Sequence, residues 1–159
     1  MRRLVSALGL ACALLLAAVA VTGCATANAA ASAISVTSAY VPQPTTPGQT
    51  VAYLDIRNNG HADRLVSVRT SVGGTVQLRA PVGEHTGVLT MRTVPDIPIP
   101  AGELTQLVPN SYHLLITGEG PLVDGKDITL HLRFAKAGEV TILAVVTNPA
   151  NGGASYFLN

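Results

Sequence analysis

Two-residue alternation between Asp127 and Val146 is what most restricts the folds open to this chain. Ile128, Leu130, Leu132 and Phe134 alternate with Thr129, His131 and Arg133. After Ala137-Gly138, the segment Glu139 to Val146 resumes the period with Val140, Ile142, Ala144 and Val146 on one side. Apolar residues spaced by two point to one face of an extended strand and scatter around a helix. The two runs, joined by a glycine-bearing turn, read as a β-hairpin. Thr50 to Arg57 repeats the pattern: Ala52, Leu54 and Ile56 face one way, Tyr53, Asp55 and Arg57 the other, and Asn58-Asn59-Gly60 supplies a turn. Leu65 to Thr70 is a further strand, with Val66 and Val68 expected inward, and Val72-Gly73-Gly74 turns the chain into Thr75 to Leu78. No segment has a helical period of useful length, and ten prolines punctuate the chain. Many short alternating strands separated by turns indicate an all-β sandwich, in which alternate residues of each strand are buried.

The N-terminal end follows a different logic. Met1-Arg2-Arg3 is basic, and Leu4 to Val21 is apolar and rich in Ala and Leu. A basic stretch before an apolar one reads as a secretory signal. About 18 apolar residues could also span a bilayer, but Val21-Thr22-Gly23-Cys24 resembles a bacterial lipobox, which marks cleavage before a cysteine that carries a diacylglyceryl group. Residues 1–23 are therefore expected to be a lipoprotein signal peptide, and residues 24–33 the lipidated Cys24 with a small-residue tether. Residues 34–147 form the sandwich domain, and residues 148–159 are expected to be a disordered tail. Without Arg2 and Arg3 the 10 basic residues become 8, against 9 acidic ones, so no basic surface points to nucleic acid. Cys12 leaves with the signal and Cys24 is the lipid site, so core burial alone holds the domain.

Most catalytic classes leave a trace that is missing here. The sequence has no G-x-S-x-G elbow, no P-loop, no H-E-x-x-H and no C-x-x-C pair. A blue-copper centre needs a cysteine thiolate that the mature domain lacks. The chain is therefore expected not to be an enzyme. Of the four histidines, His61 sits in a turn and His131 on the outward face of a regular strand, where solvated side chains are ordinary. His85 lies in a hairpin loop, Gly83 to Gly87. His113 differs. In Ser111 to Thr117 the apolar face is Tyr112, Leu114 and Ile116, which leaves His113 and Leu115 together on the other face. An outward leucine beside an outward histidine is not the usual polar exterior of a sandwich strand. Met91 shares a face with Leu89, and taken alone it reads equally well as core packing.

The segments Gly87-Val88-Leu89-Thr90-Met91-Arg92, Ile99-Pro100-Ala101-Gly102-Glu103 and Tyr112-His113-Leu114-Leu115 resemble the periplasmic copper chaperone family PCu(A)C. The resemblance runs from about Ile34 to Val146 and implies a cupredoxin-like antiparallel Greek-key β-sandwich that binds Cu(I) at its surface. The family signature is a His, ten residues, a Met, twenty-one residues and His-x-Met. Met91 and His113 are separated by 21 residues, as the signature requires. Two signature positions depart from it. The first His falls near Arg79 or Ala80, and the final Met is Leu115. Cu(I) favours thioether and imidazole donors, so the expected metal ligands are Met91 and His113, with His85 as a candidate third.

The resemblance implies an extracytoplasmic, membrane-tethered protein that binds or passes on Cu(I) through an incomplete site. Its expected partner is a copper-receiving membrane protein such as a respiratory oxidase subunit. Two other readings compete with it. One is a sandwich lipoprotein that binds or scaffolds without metal. The other is a module that selects a different ion through His85 and His113.

Overall fold

The computed structural model describes residues 33–83 and 89–151. Cys24, His85 and residues 152–159 lie outside the described residues. Ten strands follow one another: β1 (Ile34–Pro42), β2 (Gln49–Asn58), β3 (Asp63–Thr70), β4 (Thr75–Gly83), β5 (Leu89–Thr93), β6 (Ile97–Ile99), β7 (Leu104–Leu107), β8 (His113–Thr117), β9 (Asp127–Phe134) and β10 (Gly138–Thr147). Among the described residues no helix is long and apolar enough to cross a membrane.

The strands pair along one path, β5-β4-β8-β2-β1-β10-β9-β3-β6, with β7 also on β2. All these pairings are antiparallel except β1 with β10, which is parallel over Tyr40–Pro42 and Val145–Thr147. β2 joins the two walls: its first half pairs with β8 and its second half with β7. β1 makes the other crossing. Ser38 takes a φ of 54°, the register breaks between Thr37 and Tyr40, and the strand leaves β2 for β10. The residue-by-residue alternation lapses there, so Ala39, Tyr40 and Val41 are buried in succession.

The buried residues are those the alternation selects. Ala52, Leu54 and Ile56 face Ile128, Leu130, Leu132 and Phe134 across one continuous core, joined by Leu78, Leu114, Ile116, Ala144 and Val146. Val140 and Ile142 are only partly covered at its rim. The β9–β10 hairpin runs in register from Gly138–Phe134 to Val145–Asp127. β3 departs from expectation. Leu65 and Val68 are buried and Val66 is half-buried, because the register to β9 shifts between Leu65 and Ser67 and the inward set shifts with it. The strand expected over Thr75–Leu78 continues to Gly83. The tail expected from Asn148 opens with a 3-10 turn over Pro149–Asn151, where Asp124 accepts from the Asn148 N–H at 2.9 Å.

Two buried polar side chains hold the loops at one end. The Asn58 amide donates to the carbonyls of His61, Ile99 and Pro100 at 2.9, 3.1 and 3.0 Å, and its own oxygen accepts from the Gly60 N–H. The Asp63 carboxylate accepts from the N–H groups of Arg64, Lys136 and Ala137 at 2.8–2.9 Å. Both replace the water that these backbone groups lose on folding.

Candidate metal centre

β4 forms the floor of the site. Leu78 and Ala80 point into the core, while Gln77, Arg79 and Pro81 are half-buried on the outer face. β5 pairs on one side of β4 and β8 on the other, with Pro81 opposite Met91, Arg79 opposite Thr93, and Arg79 also opposite His113. The outer face therefore gathers Met91, Arg79, His113 and Leu115, the last opposite Gln77 on β4 and Val51 on β2.

Pro81 is compatible with this arrangement because of the ladder's alternation. The Val94 N–H bonds to the Leu78 carbonyl, so Leu78 and Ala80 occupy the hydrogen-bonded positions toward β5, and Arg79 and Pro81 the others. The missing N–H of Pro81 then falls on the β8 side, where the ladder has already ended at Arg79 and His113. The same alternation turns the Met91 carbonyl toward the free edge of β5. Arg79 reaches across to it, with Nη2 donating to Met91 O at 2.7 Å and Nη1 to Thr93 Oγ1 at 2.9 Å. Thr93 Oγ1 donates onward to Gln77 Oε1 at 3.0 Å.

His113 opens β8 as a half-buried side chain. Its Nδ1 lies 3.1 Å from the Ser111 carbonyl. A carbonyl only accepts, so Nδ1 carries the proton and the lone pair sits on Nε2. The Tyr53 ring stands edge-on to the imidazole, with centroids 6.3 Å apart at 60°, and Tyr40 packs behind Tyr53 at 5.2 Å. Burial holds the His113 pKa below the usual imidazole value, the Arg79 charge lowers it further, and the Ser111 hydrogen bond opposes both. The ring is therefore neutral at pH 7, as a metal ligand must be.

Several sequence expectations are resolved by this register. Met91 is half-buried on the outer face and does not belong to the core, while Leu89 is 59% exposed. Met91 and His113 share that face but not neighbouring strands, because β4 lies between them. Two strand spacings and a two-residue offset put their Cα atoms about 12 Å apart. Of the two positions nominated for the first histidine, Ala80 is buried against the core and Arg79 stands between the donors. A count along the sequence names both positions, and the in/out alternation of β4 puts only Arg79 on the outer face. His85 falls between β4 and β5 in the sequence and lies outside the described residues. Among the described residues His61 contributes its carbonyl, to Asn58. His131 lies on the outside of β9, bonded to Thr141 at 3.2 Å and beside Glu139 at 3.4 Å. Among the described residues no three His, Cys, Asp or Glu side chains gather. Among the described residues the candidate donors are thus one thioether and one imidazole with no bond recorded at its Nε2: the right types for Cu(I), in half the number of the four-ligand signature.

This rolled, almost wholly antiparallel sandwich is the fold of PCu(A)C domains. Solved structures agree on that fold. The copper-bound PCuAC domain of PmoF2 superposes with a TM-score of 0.62 at 22% identity, covering 74% of this chain and 94% of that one. The apo PCuAC domain of PmoF1 gives 0.63 at 22%, covering 74% and 95%. The Cu(I) form of DR1885 from Deinococcus radiodurans gives 0.57 at 24%, covering 69% and 74%. The chain belongs to the LpqE-like lipoprotein family, whose model matches residues 34–146. No curated protein matches the sequence.

Proposed function

We propose that this protein is an extracytoplasmic, lipid-anchored carrier of Cu(I) that binds the ion through Met91 and His113 and passes it to a membrane partner. The observation that carries the reading is the state of His113. Its Nδ1 is pinned to the Ser111 carbonyl, its Nε2 lone pair is free, and it sits half-buried on the face that also holds Met91. A ligating histidine is commonly set in this way, its second nitrogen fixed by an outer hydrogen bond. Two donors on an open face leave room for an acceptor's ligands to displace them one at a time, which transfer requires. His85, in the β4–β5 loop, is the candidate third donor, and a respiratory oxidase subunit is the kind of acceptor this chemistry serves. The lipobox at Cys24 and the LpqE-like lipoprotein match support the extracytoplasmic address.

Titration of the domain from Ala25 with Cu(I) against a chromogenic chelator tests the reading. Wild type should compete with the chelator, and His113→Ala or Met91→Leu should each weaken binding about tenfold or more, one lost soft donor being worth at least 1.4 kcal/mol. Arg79→His with Leu115→Met should raise affinity, because both side chains face the donors. Ala80→His should not, because that side chain faces the core. Arg79 also favours a second reading, a sandwich that scaffolds without metal, since its guanidinium is built into the β4–β5 pairing. Cu(I) binding indifferent to both His113→Ala and Met91→Leu would support that alternative.

A further inference from the structure

Arg79 places a permanent positive charge where the four-ligand signature has a neutral donor. It stands opposite His113 in the ladder, and its guanidinium bonds to the Met91 carbonyl, so one charge lies close to both candidate ligands. A guanidinium does not lose its proton in a protein and presents five N–H donors. Two of them are engaged, by Met91 O and Thr93 Oγ1. Among the described residues no carboxylate forms an ion pair with it. Met91 and His113 are both neutral, so a bare Cu(I) bound by them would face an uncompensated like charge on a half-buried surface, where screening is weaker than in water. An anionic ligand on the metal removes that penalty and can take up the remaining Arg79 donors. Copper's softness selects sulfur for that ligand. Leu115, two residues beyond His113 on the same face and opposite Val51, leaves an apolar wall at the signature position that would have supplied sulfur.

We propose that this face takes Cu(I) together with a thiolate from outside the chain, with Met91 and His113 as the protein's own donors and Arg79 balancing the thiolate's charge. The proposal rests on the copper reading above. As the sulfur–copper bond forms, the thiol gives its proton to solvent. Copper remains Cu(I) throughout and no electron is exchanged.

The test measures Cu(I) affinity by chelator competition in three conditions: no addition, N-acetylcysteine amide, and N-acetylmethionine amide as a neutral thioether control. The capped cysteine should tighten binding about tenfold or more, in line with one compensated charge at short range, and the capped methionine should not. Arg79→Gln should abolish the gain and Arg79→Lys should keep most of it. X-ray absorption at the copper edge should count one more sulfur in the presence of the capped cysteine. A glutathione arm separates the sources. A gain equal to that of capped cysteine assigns any accessible thiolate, and a larger gain assigns a free thiol whose carboxylates also meet Arg79. Binding that is unchanged by thiol, or a thiol gain that survives Arg79→Gln, overturns this proposal and leaves the copper reading standing. No Cu(I) binding in any condition overturns both.

Discussion

Asp63 shows how much of this fold rests on a residue with no pattern to announce it. Burial alone would raise its pKa, but three backbone N–H donors from Ala137, Arg64 and Lys136, with the Lys136 charge, outweigh burial and hold it below the usual carboxylate value. A carboxylate whose pKa is lower in the folded than in the unfolded chain stabilises the fold above its unfolded pKa of about 3.9 and loses that contribution as pH falls through the folded value. The urea midpoint of wild type should therefore fall on acidification below about pH 4. Asp63→Asn should lower stability by about 2 kcal/mol at pH 7, since one carboxylate oxygen becomes an amide donor facing an N–H. It should also flatten the acid limb, and equilibrium urea melts at pH 3–7 check both effects. The sequence could not reveal this residue, because Lys136 and Ala137 are 73 and 74 positions away. Met91 and His113 could be nominated for the opposite reason: the family resemblance itself sets their separation. Arg79 fell between the two cases. It was named with Ala80 as one of two positions, and only the in/out alternation of β4 separates them.

At the scale of elements, hydrophobic alternation located the strands well where the ladder is regular and failed where it is not. β2, β8 and β9 bury the residues the period selects, and β10 does so over its second half, at Ala144 and Val146. β3 does not, because a bulge is a property of two strands and neither sequence carries it alone. The β3–β4 turn gives a sharper case. Gly73 and Gly74 both have positive φ, 75° and 79°. A Cβ on Gly73 would meet nothing within 4 Å, whereas one on Gly74 would lie 2.6 Å from the Thr117 carbonyl and 2.9 Å from the Glu119 N. The dipeptide reads from sequence as one turn signal, but its two members carry different loads. Gly73→Ala should cost only the left-handed conformation, about 1 kcal/mol. Gly74→Ala should cost at least about 3 kcal/mol, because the end of β8 must move as well. Thermal melts of the two single variants decide the matter, and equal losses would mean that the turn gives way as a unit.

At the scale of the whole molecule, the entry of the chain and the His113 face lie apart. The described chain begins at the far end of β2, where the Asn59 N–H bonds to the Ala33 carbonyl at 2.8 Å and Ile34 pairs with Asn58. Tyr53, which packs against His113, lies five residues back along β2, about 17 Å from that point. From the sequence, the lipobox and the His113 face are expectations at two places in the chain with no stated separation. The separation follows from the parallel β1–β10 pairing and from β2 serving both walls, contacts between segments far apart in the chain. Under the proposed reading, a tether at Cys24 would lead into the β1 end of the domain while Met91 and His113 face away from it, leaving that face open to a partner. This reading predicts that anchoring and metal binding are separable. Cys24→Ser in the full chain should move the protein from the membrane to the soluble fraction in cell fractionation. The soluble product should keep the melting temperature and Cu(I) affinity of the domain prepared from Ala25. Retention on membranes would remove the lipobox assignment, and loss of Cu(I) affinity with the fold intact would mean that the anchor end and the site are coupled.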